Sequence, residues 1–263
     1  VERSARRSSL EEGMSYRGRG IVVTGAGGGL GAAVARHFAL HGAKVACADV
    51  AVEAAAATAE ALVEQGGQAH AFAVDIADER DVSRFRDDVV AALGPVHVLL
   101  NIAGVLDRRP MVELPAEAFR GVVDVNLSGT YAVIRIFADD LRAAGRSGRI
   151  VNVASIAGTT GYPFPAYAAS KAGVVNLTRS LLIDFWGSGV TVNAVSPGAM
   201  DTPMMDQSSK PMFLQKTPVN RIAATDDIVH AIDFLSSEKA AMVNGQNLVV
   251  DGGATAVFRY VND

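Results

Sequence analysis

The sequence predicts an α/β fold, a single doubly wound domain whose seven-stranded, mainly parallel sheet carries helices on both faces. Three observations predict it. From residue 20 onward, short β-branched apolar runs alternate with helix-period segments. The runs lack strict polar alternation, which is what strands covered on both faces require. The 263 residues would fit one large core or two small ones, and no proline-rich or serine-rich linker and no internal repeat divides them, which favours one domain.

The elements follow in order. Strand runs are expected at 21–24, 44–49, 69–74, 96–101, 149–154, 190–195 and 247–250. Helices are expected at 30–41, 52–64, 79–92, 116–144, 167–185 and 225–235. Residues 1–18 are polar and arginine-rich with little to bury, so they read as a disordered extension, with the domain running over 19–263. A targeting peptide is the weaker reading, because Glu2, Glu11 and Glu12 interrupt it.

Composition excludes several classes. The net charge is −4 and the Lys and Arg residues are scattered, so nothing advertises nucleic acid or an anionic membrane. One cysteine, Cys47, cannot form an internal disulfide, and the five histidines are too dispersed for a metal site, so no metal is expected. The longest apolar stretches are too short to span a membrane and no signal-peptide core follows the first residues, which makes the cytoplasm the default compartment.

The string TGAGGGLG, residues 24–31, falls at the turn from the first strand into the first helix. Glycines there let the backbone bend tightly, approach a ligand and aim amide hydrogens at a pyrophosphate, the dinucleotide-binding or Rossmann arrangement. A plain glycine-rich loop is the alternative. The second strand, KVACADV, carries Asp49 about twenty residues on, where a carboxylate can accept from an adenosine ribose. It would repel a 2'-phosphate, and no Arg or Lys stands in the glycine loop or just after Asp49, so NAD is favoured over NADP. Asp49 can also cap the next helix.

Together, Gly25, Gly29 and Gly31 after Thr24, the Asn101, Ala103, Gly104 segment, and Asn126, Ser155, Tyr167 and Lys171 resemble the short-chain dehydrogenases/reductases, from Gly20 to Gly253. The resemblance implies a catalytic tetrad of Asn126, Ser155, Tyr167 and Lys171. It also implies cofactor contacts from Gly25, Gly29, Leu30, Gly31, Asp49, Val50, Asp75, Ile76, Asn101, Ala103, Gly104, Tyr167, Lys171, Pro197, Gly198, Met200 and Thr202. A mobile substrate lid over about 202–218 and a homo-oligomer, specifically a homotetramer, are implied as well.

The residues argue part of this chemistry themselves. Tyr167 and Lys171 are four apart in YAASKAGVVNLTRSL, so they share a helix face, where an ammonium can stabilise a phenolate. Ser155 ends RIVNVAS, at the carboxyl edge of the sheet, where it can hold a substrate oxygen or merely cap a turn. Asn126 sits in a helical segment despite poor propensity; the resemblance gives it a proton-relay water, and a buried structural asparagine is the other reading. Tyr162, Phe164 and the methionine-rich 202–218 stretch suggest an apolar pocket, or packing against the body or a partner. Arg108 and Arg109 are candidates for a substrate carboxylate, and Trp186 is expected to pack.

The resulting expectation is NAD-dependent oxidoreduction of a small-molecule secondary alcohol or ketone, fairly apolar and cyclic. The alternatives are an NADPH-dependent reductase resembling the 3-oxoacyl thioester reductases, and a non-catalytic nucleotide-binding protein.

Overall fold

The structure of the protein, a computed structural model, describes residues 16–202, 205 and 207–257. Its strands are β1 (Gly20–Thr24), β2 (Lys44–Asp49), β3 (Gln68–Ala73), β4 (Val96–Asn101), β5 (Arg149–Val153), β6 (Thr191–Pro197) and β7 (Asn247–Val250). They lie in the order β3-β2-β1-β4-β5-β6-β7, every pairing parallel. Strand order reverses between β1 and β4, so the loops leaving their carboxyl ends diverge and open a crevice.

The helices are α1 (Gly29–Leu40), α2 (Val52–Glu64), α3 (Glu79–Leu93), α4 (Ala116–Val123), α5 (Thr130–Ile136), α6 (Ala138–Ala144), α7 (Pro165–Ser180), α8 (Lys210–Lys216) and α9 (Thr225–Ser236). Alternate residues of each strand serve opposite faces. Ile21, Val23, Val45, Cys47, Val98 and Leu100 pack under α1, α2 and α9. Val22, Ala46, Ala48, Leu99, Ile150 and Val192 pack under α3, α5 and α6. Both faces are covered, which is why the strands read as unbroken apolar runs. Burial pushes the Cys47 thiol up to about 12.

Two helical expectations change. The segment 116–144 is not one helix: α4 passes into a π-helical stretch, Asp124–Gly129, then α5 and, after Phe137, α6. Each piece still buries its own residues, Val122, Val133, Ile134 and Leu141, so the apolar pattern runs on through a change of hydrogen bonding that it cannot report. Helix α7 opens on Pro165, whose missing N–H is needed by no helical bond, and stops at Ser180. Turns follow, with Leu181 and Phe185 inward; Trp186, 83% exposed, does not pack as expected.

The ordered body starts earlier than residue 19. Tyr16 is buried, packs edge-on against Phe38 with ring centroids 4.6 Å apart, and donates its hydroxyl to Asp233 Oδ1 at 2.7 Å. His37 Nε2 lies 3.3 Å from the same carboxylate. Burial, then Asp233, hold the Tyr16 phenol above its ordinary value. Nearby, buried Arg149 donates to the carbonyls of Arg146 at 2.7 Å and Gly148 at 2.8 Å. The expected extension up to residue 15 lies outside the described residues, as does Phe258; Val257 is exposed.

Candidate active site

The crevice is a cleft of about 1070 Å³ along the carboxyl edge from β3 to β6. Every residue expected at the site borders it except Asn101 and Asn126. Its floor begins at Thr24, whose hydroxyl accepts from the Ile102 and Ala103 amides at 3.1 and 3.2 Å and so ties the end of β1 to the end of β4.

The glycine loop is built by close approach. Gly25 has φ +72°, and a Cβ there would lie 2.8 Å from the Cα of Ala103. A Cβ on Gly31 would lie 1.9 Å from the Gly25 carbonyl oxygen, so only glycine lets α1 start directly beneath the turn. Gly28 and Gly29, at the start of α1, border open space: nothing stands within 4 Å of a Cβ built on either. This bare helix N-terminus fits the pyrophosphate of a dinucleotide.

Asp49 ties down backbone on both sides of it but does not cap α2, whose N-cap is Ala51 with no side-chain cap. Its Oδ2 accepts from Gly27 N at 2.9 Å, holding the loop, and its Oδ1 accepts from Ala51 N at 3.0 Å, at the entry to α2. A carboxylate accepts about four hydrogen bonds, so it keeps capacity for ribose hydroxyls. Asp75 Oδ1 accepts from Ala77 N at 2.9 Å and borders the cleft beside Ile76.

At the other end, Ser155 follows β5 and accepts from Ala157 N at 3.1 Å, the turn-capping role, while also hydrogen-bonding the Tyr167 phenol. The turn carrying Ser155 lies against α7 because of Gly158, where a Cβ would sit 2.5 Å from the Lys171 carbonyl carbon. Lys171 is buried and donates to Val153 O at 2.8 Å, its Nζ 5.8 Å from the Tyr167 ring centroid. Burial pulls the Lys171 ammonium down to about 8. Burial also raises the Tyr167 phenol and outweighs the Ser155 bond, so in the protein alone the expected lowering by Lys171 does not prevail.

The two asparagines stand one layer back. Asn126 receives the Val105 amide on Oδ1 at 2.7 Å and donates Nδ2 to Val105 O at 2.9 Å and Ser170 Oγ at 3.0 Å. Its amide thus fixes the loop after β4, and the π-helical turn is what brings it there. A Cβ on Gly104 would lie 3.1 Å from Asn126 Oδ1 and 3.3 Å from Lys171 Nζ, so glycine lets that loop pass between them. Asn101 donates to Asn152 Oδ1 at 2.9 Å, and Asn152 to Thr178 Oγ1 at 3.0 Å. Asn101 Oδ1 is buried with no hydrogen-bond partner among the described residues.

Pro197, Gly198, Met200 and Thr202 form the far wall. This loop is pinned by a support the sequence reading missed: a Cβ on Gly198 would lie 2.7 Å from Asp251 Cβ. Burial alone would raise the Asp251 carboxyl, but hydrogen bonds from Thr255 and Gly253 hold it below its ordinary value. The DGG string after β7 was the available signal. In the expected lid, Met205, Met212 and Phe213 border the cleft, and α8 is a helix not among those expected. Residues 203, 204 and 206 of that lid lie outside the described residues. Tyr162 and Phe164 stand opposite in edge contact, ring centroids 5.4 Å apart. Of the two arginines, Arg108 borders the cleft, while Arg109 pairs with Asp107. Among the described residues no group of three or more His, Cys, Asp or Glu could hold a metal ion, and no helix is long and apolar enough to cross a membrane.

Over residues 25–255 the chain matches the family described as Enoyl-(Acyl carrier protein) reductase. It is 40% identical over 250 residues to cis-4-hydroxycyclohexanecarboxylate dehydrogenase of Sinomonas cyclohexanicum, covering 93% of this chain and 100% of that protein. To D-threitol dehydrogenase of Mycolicibacterium smegmatis it is 37% identical over 256 residues, 95% and 98% of the two chains. A crystal structure of a gluconate 5-dehydrogenase from Burkholderia cenocepacia in complex with NADP and tartrate superposes with a TM-score of 0.88 at 30% identity, over 95% of this chain and 100% of that one.

Proposed function

Because the chain belongs to the short-chain dehydrogenase/reductase family and several of its relatives are named as dehydrogenases of secondary alcohols, we propose that it is NAD-dependent and acts on a secondary alcohol with Tyr167 as acid and base. The observation that carries this reading is the convergence of Ser155, Tyr167 and Lys171 on one wall of a cleft whose opposite end is closed by Asp49.

When bound, a nicotinamide cofactor supplies the hydride acceptor for oxidation and the hydride donor for reduction. The chain supplies the rest. The bare amides of Gly28 and Gly29 would hold the pyrophosphate, and Asp49 would accept from the adenosine ribose. In oxidation, Ser155 donates to the substrate oxygen while Tyr167, as phenolate, takes the hydroxyl proton; in reduction, Tyr167 returns that proton to the carbonyl oxygen. Burial raises the phenol in the protein alone, so the phenolate would draw on positive charge from Lys171 and, when bound, from an oxidised nicotinamide. Lys171, its ammonium already desolvated, would contact the nicotinamide ribose, and Asn126 holds the loop after β4 through the Val105 backbone.

Cofactor choice rests on Asp49. The cations bordering the cleft among the described residues are Arg108, Lys171 and Lys216, and none stands on β2 or in the loop that follows it, where a 2'-phosphate would lie. An apolar, cyclic alcohol is supported by the wall of Tyr162, Phe164, Met205, Met212 and Phe213. A cytoplasmic homotetramer is the assembly we favour; exposed Leu248 and Val249 on edge strand β7 support association between copies. The deciding experiment is a paired titration with NADH and NADPH followed by nicotinamide fluorescence. Tenfold tighter NADH binding, about 1.4 kcal/mol, sustains the reading; equal or tighter NADPH binding transfers it to the reductase alternative.

A further inference from the structure

The cleft wall that carries Met212 and Phe213 reaches the body through two legs, and both rest on one short turn after β7. The first leg leaves β6. Pro197 pairs in register with Val250, and the Gly198 amide donates to the Val250 carbonyl at 3.0 Å. A Cβ on Gly198 would lie 2.9 Å from the Asp251 Cα as well as 2.7 Å from its Cβ, so this leg lies flat on Asp251. The second leg leaves α8. A Cβ on Gly252 would lie 2.7 Å from Thr217 Cγ2, and one on Gly253 would lie 3.3 Å from Pro218 Cγ. The Val219 amide donates to the Gly252 carbonyl at 3.3 Å.

Gly252 and Gly253 hold φ of +63° and +86°, a course that brings the turn's backbone against the second leg. The buried Asp251 carboxylate spans that turn. Its Oδ1 accepts from Gly253 N at 2.8 Å, and its Oδ2 accepts from Thr255 N at 2.8 Å and from Thr255 Oγ1 at 2.7 Å. Three bonds to one ionised group fix the turn more firmly than neutral acceptors would. The legs also meet each other. Met200 and Ala223 form a parallel bridge, the Ala223 amide donates to Ala199 O at 3.1 Å, and the Asp201 amide donates to Ala223 O at 3.4 Å. Asn220, at φ +56° and with its amide donating to Thr217 O at 2.8 Å, makes the bend that returns the second leg toward Ala223.

We propose that Asp251 is a positioning residue for the substrate wall: its carboxylate holds the 251–255 turn as one clamp on both legs and so sets where Met212 and Phe213 stand across the cleft from Ser155 and Tyr167. Asp251 does not itself border the cleft. The proposal rests on the alcohol dehydrogenase reading for what the wall receives, and on the geometry alone for the clamp. Because the legs share one support, loosening the turn frees both together, whereas separate supports would let one move alone.

The first measurement does not depend on turnover. Backbone hydrogen exchange on the full chain compares the wild type with Asp251→Asn, Gly252→Ala and Gly252→Ala/Thr217→Ser. Asparagine keeps an acceptor for Gly253 but sets an N–H donor against those of Thr255. Asp251→Asn is expected to speed exchange at least tenfold over both 198–201 and 217–223, with β1 and β5 unchanged. Gly252→Ala drives a methyl onto Thr217 and should loosen the same two stretches. Adding Thr217→Ser removes the methyl that is struck, keeps the hydroxyl that donates to Phe213 O, and should restore part of the protection. Loosening confined to 251–255 or to one leg overturns the proposal, as does a Gly252→Ala effect that Thr217→Ser does not relieve at all. With cyclohexanol and NAD+, Asp251→Asn should raise KM at least tenfold and leave kcat within threefold. A fall in kcat at unchanged KM would overturn the positioning role. If the wild type does not oxidise cyclohexanol with NAD+ or NADP+ although both legs loosen together in Asp251→Asn, the apolar-alcohol reading has failed and the clamp has not.

Discussion

Both edges of the sheet bury polar side chains, with opposite results. At the amino edge, Tyr16 donates to the Asp233 carboxylate and Arg149 to the carbonyls of Arg146 and Gly148, all inside the body. At the carboxyl edge, Lys171, Ser155 and Tyr167 are held just as firmly but border a cleft. Burial of a polar group therefore does not by itself mark function. What distinguishes the two edges is open space beside the buried group: glycines and diverging loops provide it after β1 and β4, and chain packing removes it at the other end.

The sharpest way to break this comparison is Tyr167→Phe. It should lower kcat by about 10²–10⁴-fold while the NADH dissociation constant stays within about twofold. Normal turnover would remove the phenol from the chemistry. The matching change at the amino edge, Tyr16→Phe, should do the reverse. It leaves the buried Asp233 carboxylate without the Tyr16 hydroxyl, with His37 beside it, costing about 1–3 kcal/mol in denaturant unfolding, with kcat/KM unchanged. Loss of activity at unchanged stability would show that the edges are coupled.

Lys171 sharpens the comparison through pH. Burial sets its folded pKa near 8, below its ordinary 10.5, so between those values the unfolded chain binds the extra proton and stability rises with pH. Relative to Lys171→Met, the wild type should gain about 2 kcal/mol between pH 7 and pH 9.5 in urea titrations. A flat difference would mean the ammonium is better solvated than its position implies. The smallest effect belongs to Asp49→Ala, expected to weaken NADH binding about tenfold and to narrow the advantage over NADPH. Unchanged constants for both cofactors would confine Asp49 to its bonds with Gly27 and Ala51.

The two edges were not equally legible. The strands could be read because a doubly covered sheet turns them into apolar runs, and the cluster of Ser155, Tyr167 and Lys171 because a strand end and a four-residue helical spacing are local features. Asp49 was legible for the same reason. Tyr16 was not: its partner Asp233 is 217 residues away, and a polar, arginine-rich neighbourhood disguised a core side chain. The π-helical turn at Asp124–Gly129 left the apolar pattern intact and so left no trace. Asp251 supports the Pro197–Gly198 wall from a segment with no periodicity. Which of Arg108 and Arg109 would face the cleft depended on a loop whose course is fixed by Asn126, and no pattern in the sequence carries that.

The Tyr16–Asp233 bond also orders events in time. The first described residue closes the sheet's amino edge only against a helix near the end of the chain. A ribosome adding about 5–20 residues per second needs roughly 10–40 s to make that span. Through that interval the β1 face carrying Ile21 and Val23 has α1 to cover it but not α9, so the nascent chain presents apolar surface that the finished protein never shows. Chaperone demand should therefore fall when α9 emerges, well after the cofactor loop and the Ser155 strand have been made.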